Sequence, residues 1–250
     1  MDKIDIEKIV IWLKEYVKNA NAEGIVIGMS GGKDSLVVAK LCSLALGKSK
    51  VLGVIIPNGK MKDKKIAIDS CKLIGIPFIM VDIKKQYNEI VKNTKKVVNE
   101  FGKEISTQTT INIAPRIRML VLYAIAQSMN YLVANTSNLS ETMVGYTTKW
   151  GDNVGDIGPI ANFTKTEVCQ MGLMLGLPEK YINKLPDDGL SGVTDEEKLG
   201  FTYTELDKYI RKGEKGPNYS KIEKMHKYSE HKRCGVLVFN NQSKNYFDKI

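Results

Sequence analysis

The sequence predicts a doubly wound α/β fold, a parallel β-sheet with helices packed on both faces. Two observations carry this. Short apolar runs alternate along the chain with segments of helical periodicity. Those runs are apolar at consecutive residues, as strands buried on both faces require, and helices between them supply the crossovers that parallel pairing needs.

The elements follow in order. Ile6, Ile9, Val10, Leu13 and Val17 recur at helical spacing and predict an amphipathic helix over residues 4–19. Ile25 to Met29 is a first strand, and Leu36 to Leu46 a helix stopped by Gly47. Val51 to Ile56 is a second strand, ended by Pro57-Asn58-Gly59. Ala67, Ser70, Cys71 and Ile74 line one face of the next helix, and Pro77 to Asp82 is a third strand. A polar helix is expected over 84–100 and a strongly apolar one over 115–129, with Pro115 in its first turn. Tyr131 to Asn135 is the fourth strand. Beyond it the chain reads as loops and helices. Thr164-Lys165-Thr166-Glu167 and Thr202-Tyr203-Thr204-Glu205 fit capping boxes, with stops at Gly176 and Gly213.

At 250 residues the chain is expected to form one domain, over residues 1–250. No run of about 18 apolar residues occurs, so no membrane span is expected. The first residues lack the basic and apolar regions of a signal peptide, which makes the cytoplasm the expected compartment. The four cysteines form no Cys-x-x-Cys pair and only His226 and His231 accompany them, which argues against zinc. The net charge of +9 suits nucleic acid or a polyanionic small substrate.

In such sheets ligands bind beyond the carboxyl ends of the strands. Ser30-Gly31-Gly32-Lys33-Asp34-Ser35 stands there, between a strand and a helix. Two glycines let backbone amides approach a bound group, and the helix N-terminus adds unpaired N–H groups and partial positive charge. That combination makes a phosphate site. It is not a Walker A loop: Gly28 and Gly32 are separated by three residues rather than four, and Asp34 stands where Ser or Thr would follow the lysine. An aspartate beside phosphate repels it unless a cation lies between, so Asp34 is a candidate Mg²⁺ ligand.

This loop resembles the pyrophosphate loop of the ATP pyrophosphatase (PP-loop) group, which cleaves ATP between its α- and β-phosphates. Further segments narrow the likeness. Asn112-Ile113-Ala114-Pro115-Arg116-Ile117-Arg118-Met119, Thr136 to Glu141, Gly145 to Asp152, Asp156-Ile157, Lys165-Thr166 and Glu230-His231-Lys232-Arg233 resemble, in order and spacing, those of the NAD synthetase family. The resemblance implies an adenine nucleotide α-hydrolase-like fold with a helical C-terminal extension. It implies a ligase that amidates deamido-NAD with ammonia, consuming ATP and Mg²⁺ and releasing AMP and pyrophosphate through an acyl-adenylate. It assigns ATP to Gly28, Met29, Ser30, Gly31, Gly32, Lys33, Asp34, Ser35, Thr136, Lys165 and Asp187. Deamido-NAD falls to Arg116, Lys149, Asp156, His231 and Lys232, and the metal to Asp34 and Glu141. Asp34, Lys165 and Asp156 are the candidate catalytic residues. Asp156 is open to two roles, orienting the ribose or pyridine ring or helping to deprotonate ammonium. The resemblance also implies a homodimer with no amidase domain, and neither a membrane nor nucleic acid as partner. Asp187 departs from the family's frequent Ser or Thr, and Lys33 fills a position where Gln is frequent and is expected to point to solvent or a phosphate. The rivals are a PP-loop enzyme that modifies tRNA and a nucleotide-binding protein without catalysis.

Overall fold

The structure is a computed structural model that describes residues 5–183 and 194–239. Helix α1 (Ile6–Asn19) opens it, capped by Asp5, whose side chain accepts from the Lys8 amide at 3.1 Å. There follow β1 (Gly24–Gly28), α2 (Lys33–Leu46), β2 (Val51–Ile55), α3 (Lys64–Ile74), β3 (Phe78–Met80), α4 (Lys84–Glu100), α5 (Thr107–Ser128) and β4 (Tyr131–Ala134). All strand pairs are parallel, in the order β3-β2-β1-β4. The chain therefore builds outward from β1 to β3 and returns on the other side of β1. The connections diverge between β1 and β4, which opens a crevice at their carboxyl ends.

The inner strands β1 and β2 pack on both faces, as their composition requires, whereas the edge strand β3 leaves Ile79 and Met80 exposed. Ile25, Ile27 and Ile55 face one way into a core shared with α1, α2 and α3. Val26, Leu52, Val54 and Val133 face the other way, onto Ile113, Ala114 and Ile117 of α5. The strands meet the expected ranges within one or two residues.

Helix α5 does not: it starts at Thr107, eight residues ahead of Pro115. Ser106 caps it by accepting from the Thr109 amide at 3.1 Å, so the N-terminal signal lay further upstream. Pro115 is buried inside the helix, where it withholds the N–H that the Ile111 carbonyl would receive.

The last third holds α6 (Leu139–Met143), α7 (Lys165–Met174), α8 (Glu179–Ile182), α9 (Asp195–Leu199), α10 (Tyr203–Lys212), α11 (Tyr219–Tyr228) and α12 (Glu230–Arg233). The box at Thr164 is complete. The one at Thr202 is half made: Thr202 accepts from the Glu205 amide, while the Glu205 carboxylate accepts from Asn218 N and Nδ2 at 2.7 and 2.9 Å. Val144, Leu199, Phe201, Leu206 and Ile222 form a separate small core that fixes these helices beside the crevice.

Candidate active site

The loop Ser30–Ser35 leaves β1 and enters α2 with its hydroxyls turned inward. The Ser30 Oγ accepts from the Gly32 amide at 3.1 Å and lies 3.3 Å from the Ser35 Oγ, which donates to the Gly32 carbonyl at 2.9 Å. Gly31 has φ of +83°, and a Cβ there would lie 2.9 Å from the Asp63 carbonyl oxygen. Both the left-handed backbone and the lack of space require glycine.

Asp34, in the first turn of α2, meets two groups from across the crevice. Lys165 Nζ donates to Asp34 Oδ2 at 2.7 Å and to Glu141 Oε1 at 2.9 Å. The Asn138 side chain accepts from the Glu141 amide at 3.0 Å, a capping box that fixes Glu141 at the start of α6. The lysine side chain is 6% exposed, and the two carboxylates 17% and 16%. Burial alone would lower the Lys165 ammonium, but Asp34 and Glu141 outweigh it and hold its pKa above the ordinary value. Burial pushes Glu141 upward, to about 7, against the opposing pull of Lys165. A cation at a helix N-terminus is unfavourable, and the two carboxylates compensate for it.

Below Lys165 lies Tyr203, its ring centroid 5.2 Å from Nζ. Its hydroxyl donates to Asp195 at 3.2 Å, and that of Tyr146 to the same carboxylate at 3.1 Å. Burial, then Glu141 and Asp195, raises the Tyr203 pKa, so the phenol stays protonated as a donor.

These groups border a cavity of about 320 Å³. Gly28, Met29, Ser30, Gly32, Lys33, Asp34 and Ser35 line one wall. Thr136, Glu141, Lys165 and Asp195 line another, and Pro115, Arg118, Met119 and Leu122 of α5 a third. Lys33 does not point wholly to solvent: it is half-buried, with Nζ 3.7 Å from Cys169 Sγ. Asp187 lies outside the described residues.

A second cavity of about 290 Å³ adjoins the first, sharing Asn135, Ser137 and Thr147. Asp156, Lys232, Arg233 and Asn153 line it. Asp156 accepts from the Val133 amide at 2.8 Å and the Tyr123 hydroxyl at 3.2 Å. Lys232 Nζ donates to the Gly145 and Thr147 carbonyls, both at 2.7 Å. Asn153 Oδ1 is buried without a hydrogen-bond partner among the described residues.

Arg116, Lys149 and His231 line neither cavity. Arg116 Nε donates to the Lys149 carbonyl at 3.2 Å, and Lys149 Nζ lies 5.4 Å from the Trp150 ring centroid. The exposed His231 belongs to α12. The arginine that reaches the main cavity is Arg118, whose Nε donates to the Ile56 carbonyl at 3.0 Å. Helical periodicity contained that signal. Residues two apart on a helix point about 200° apart, so Arg116 and Arg118 face opposite ways. Arg118 shares the face of Pro115, Met119 and Leu122.

Fold and site thus define a nucleotide-binding α/β protein whose phosphate loop is met by a lysine and two carboxylates. The family model described as NAD synthase matches residues 5–247, and the chain belongs to that family. The "NH(3)-dependent NAD(+) synthetase" of Finegoldia magna is 40% identical over 242 residues, covering 96% of this chain and 97% of that one. Among solved structures, "NMN synthetase from Francisella tularensis" is 33% identical with a TM-score of 0.86, covering 94% of this chain and 97% of that one. The "NH3-dependent NAD synthetase from Campylobacter jejuni" is 27% identical with a TM-score of 0.75 and the same coverage. Membership of the family sets the tRNA-modifying rival aside. Among the described residues no helix is long and apolar enough to cross a membrane.

Proposed function

We propose that the chain is an ammonia-dependent ligase that converts deamido-NAD to NAD at the expense of ATP. The observation that carries this is the meeting of Asp34, Glu141 and Lys165 beside the phosphate loop. The nicotinate carboxylate attacks the α-phosphorus of ATP, and the bond to the bridging oxygen breaks as pyrophosphate departs with the electron pair. Ammonia then attacks the acyl carbon, AMP leaves, and the nitrogen gives up one proton as the amide forms.

In this reading the amides of Gly31 and Gly32 and the hydroxyls of Ser30 and Ser35 cradle phosphate oxygens. Gly28 and Met29 floor the nucleotide site, and Thr136 and Lys33 border it; the family resemblance also implies Asp187 for ATP. Lys165 is held charged where negative charge gathers on the departing pyrophosphate. The residues fit Mg²⁺: two hard carboxylate oxygens on separate elements already converge on one cation, next to the phosphate loop. Asp34 and Glu141 would hold the ion, which would neutralise triphosphate charge. The second cavity takes the acceptor side. Lys232 and Arg233 suit its anionic groups, and Asp156 there meets either the nicotinate-bearing half or incoming ammonium. Arg116, Lys149 and His231, which line neither cavity, are carried as deamido-NAD contacts by the family resemblance alone.

We further infer a homodimer. Ile90 and Val97 of α4, Phe101 just past its end and Leu120 of α5 leave large apolar side chains exposed, which a second copy would cover.

A second reading concerns the acceptor. The Francisella structure is called an NMN synthetase, and an enzyme that makes NMN by amidation takes nicotinate mononucleotide. One assay separates the readings: pyrophosphate release from ATP and Mg²⁺, with deamido-NAD, nicotinate mononucleotide or ammonium supplied or withheld. Release that needs deamido-NAD, with NAD formed only when ammonium is present, is expected. Release with the mononucleotide alone moves the function to NMN. ATP binding without release in any combination leaves a protein that binds nucleotide without catalysis.

A further inference from the structure

The three groups that meet in the crevice come from α2, α6 and α7, and something must hold α6 and α7 in register. Ser140 precedes Glu141 and is fully buried. Its Oγ accepts from the backbone amide of Lys165 at 2.9 Å and donates to an oxygen of Asp207. The other Asp207 oxygen accepts from the Thr166 amide at 2.9 Å and the Thr166 hydroxyl at 2.7 Å. Asp207 lies on α10, 5% exposed, and touches neither cavity.

One carboxylate thus binds the residue next to Glu141 and the residue next to Lys165. It also serves the first turn of α7, where free amides and the positive end of the helix favour an anion. The capping box takes up the Thr164 and Glu167 amides, and Ser140 and Asp207 accept from those of Lys165 and Thr166, so Asp207 completes the helix start and ties it to α6 at once.

Resting on the ligase reading above, we infer that Asp207 is a positioning residue for the adenylation step: through Ser140 and Thr166 it sets the separation of Glu141 and Lys165 across Asp34. Its role differs from that of the Arg211–Glu167 ion pair, which joins α10 to α7 one turn further along, through Arg211 Nε at 2.8 Å. Arg211 also donates to the Asn162 carbonyl at 2.6 Å and so grips α7 and the loop before it, whereas Asp207 ties α7 to α6. A buried carboxylate receiving three donors keeps its geometry rigidly, and a misplacement of about 1 Å at a reacting centre costs on the order of 100-fold in rate.

The test is steady-state kinetics of pyrophosphate release on the full chain, for the wild type, D207N, T166V, T166S and the D207N/T166V double variant. In D207N one of the two oxygens becomes a donor, so the Ser140 and Thr166 contacts cannot all persist. We expect kcat to fall about 50-fold in D207N and about 10-fold in T166V, with KM for ATP and deamido-NAD within threefold of wild type. T166S keeps the hydroxyl and is expected within threefold of the wild-type kcat. The double variant should fall no more than about twofold below D207N, because both changes cut one network. A kcat within twofold of wild type in D207N, or in T166V should D207N not fold, overturns the inference. So does a loss carried mainly by KM, or losses that multiply in the double variant. A wild-type enzyme that releases no pyrophosphate brings down the ligase reading and this inference together; an active wild type with unaffected variants brings down the inference alone.

Discussion

The two cavities are built differently. The walls of the first come from the sheet and its covering helices, and its charged groups are buried and bonded to one another: Asp34, Glu141 and Lys165 satisfy each other without a ligand. The second is framed by the 135–158 loops and the α12 tail. Its charged groups are tied largely to backbone: Lys232 to two carbonyls, Asp156 to an amide. On the proposed function, the contrast teaches that nucleotide chemistry is prepared by the core of the fold, whereas acceptor recognition rests on loops whose shape depends on a few hydrogen bonds.

The largest expected effect tests the prepared side. Lys165→Met leaves two carboxylates facing each other and removes the cation beside the phosphates. Pyrophosphate release should drop about 1,000-fold, in line with the loss of a preorganised electrostatic group. Activity within tenfold of wild type would show that the lysine is structural. Next, Gly31→Ala forces a side chain into the left-handed backbone and against the Asp63 carbonyl. A stability loss of about 2–3 kcal/mol, read by denaturant titration, is expected with weakened ATP binding.

A smaller effect separates fold from chemistry. Burial tends to raise the Glu167 carboxyl, but the hydrogen bonds from Arg211 and Thr164 outweigh it and hold the pKa below the ordinary 4.5. The stabilisation is therefore fully present above pH 4.5 and is lost as pH falls through the lowered folded value. Glu167→Gln should cost about 1–2 kcal/mol near neutrality and flatten the acid side of the stability profile. An unchanged profile would mean that the pair contributes nothing. The smallest effect tests the loop-built side: Lys232→Met should raise KM for deamido-NAD about tenfold while leaving KM for ATP unchanged. A rise in both would erase the distinction between the cavities.

Much of this was legible in the sequence because it is local. The four strands and the phosphate loop follow from apolar runs and the two adjacent glycines, and Asp34 from its place in that loop. Glu141 and Lys165 were found through the family resemblance and their positions after β4 and at a helix start. The start of α5 was misjudged because proline suits a first turn, yet here tertiary packing carries it in mid-helix. Arg118 carries a signal in its helical phase, which places it with Pro115, Met119 and Leu122 on the cavity-lining face of α5. Asp195, Tyr203 and Asp207 had no local signal. They act across the fold, Asp207 on residues 41 and 67 positions away, and no periodicity encodes such pairings.

The central claim, that the acceptor carboxylate is adenylated, is tested most directly by oxygen transfer. Deamido-NAD labelled with ¹⁸O in its nicotinate carboxylate is turned over with ATP, Mg²⁺ and ammonium, and the AMP is analysed by mass spectrometry. The account predicts one labelled oxygen in the AMP phosphate for each NAD formed; unlabelled AMP accompanying NAD would contradict it.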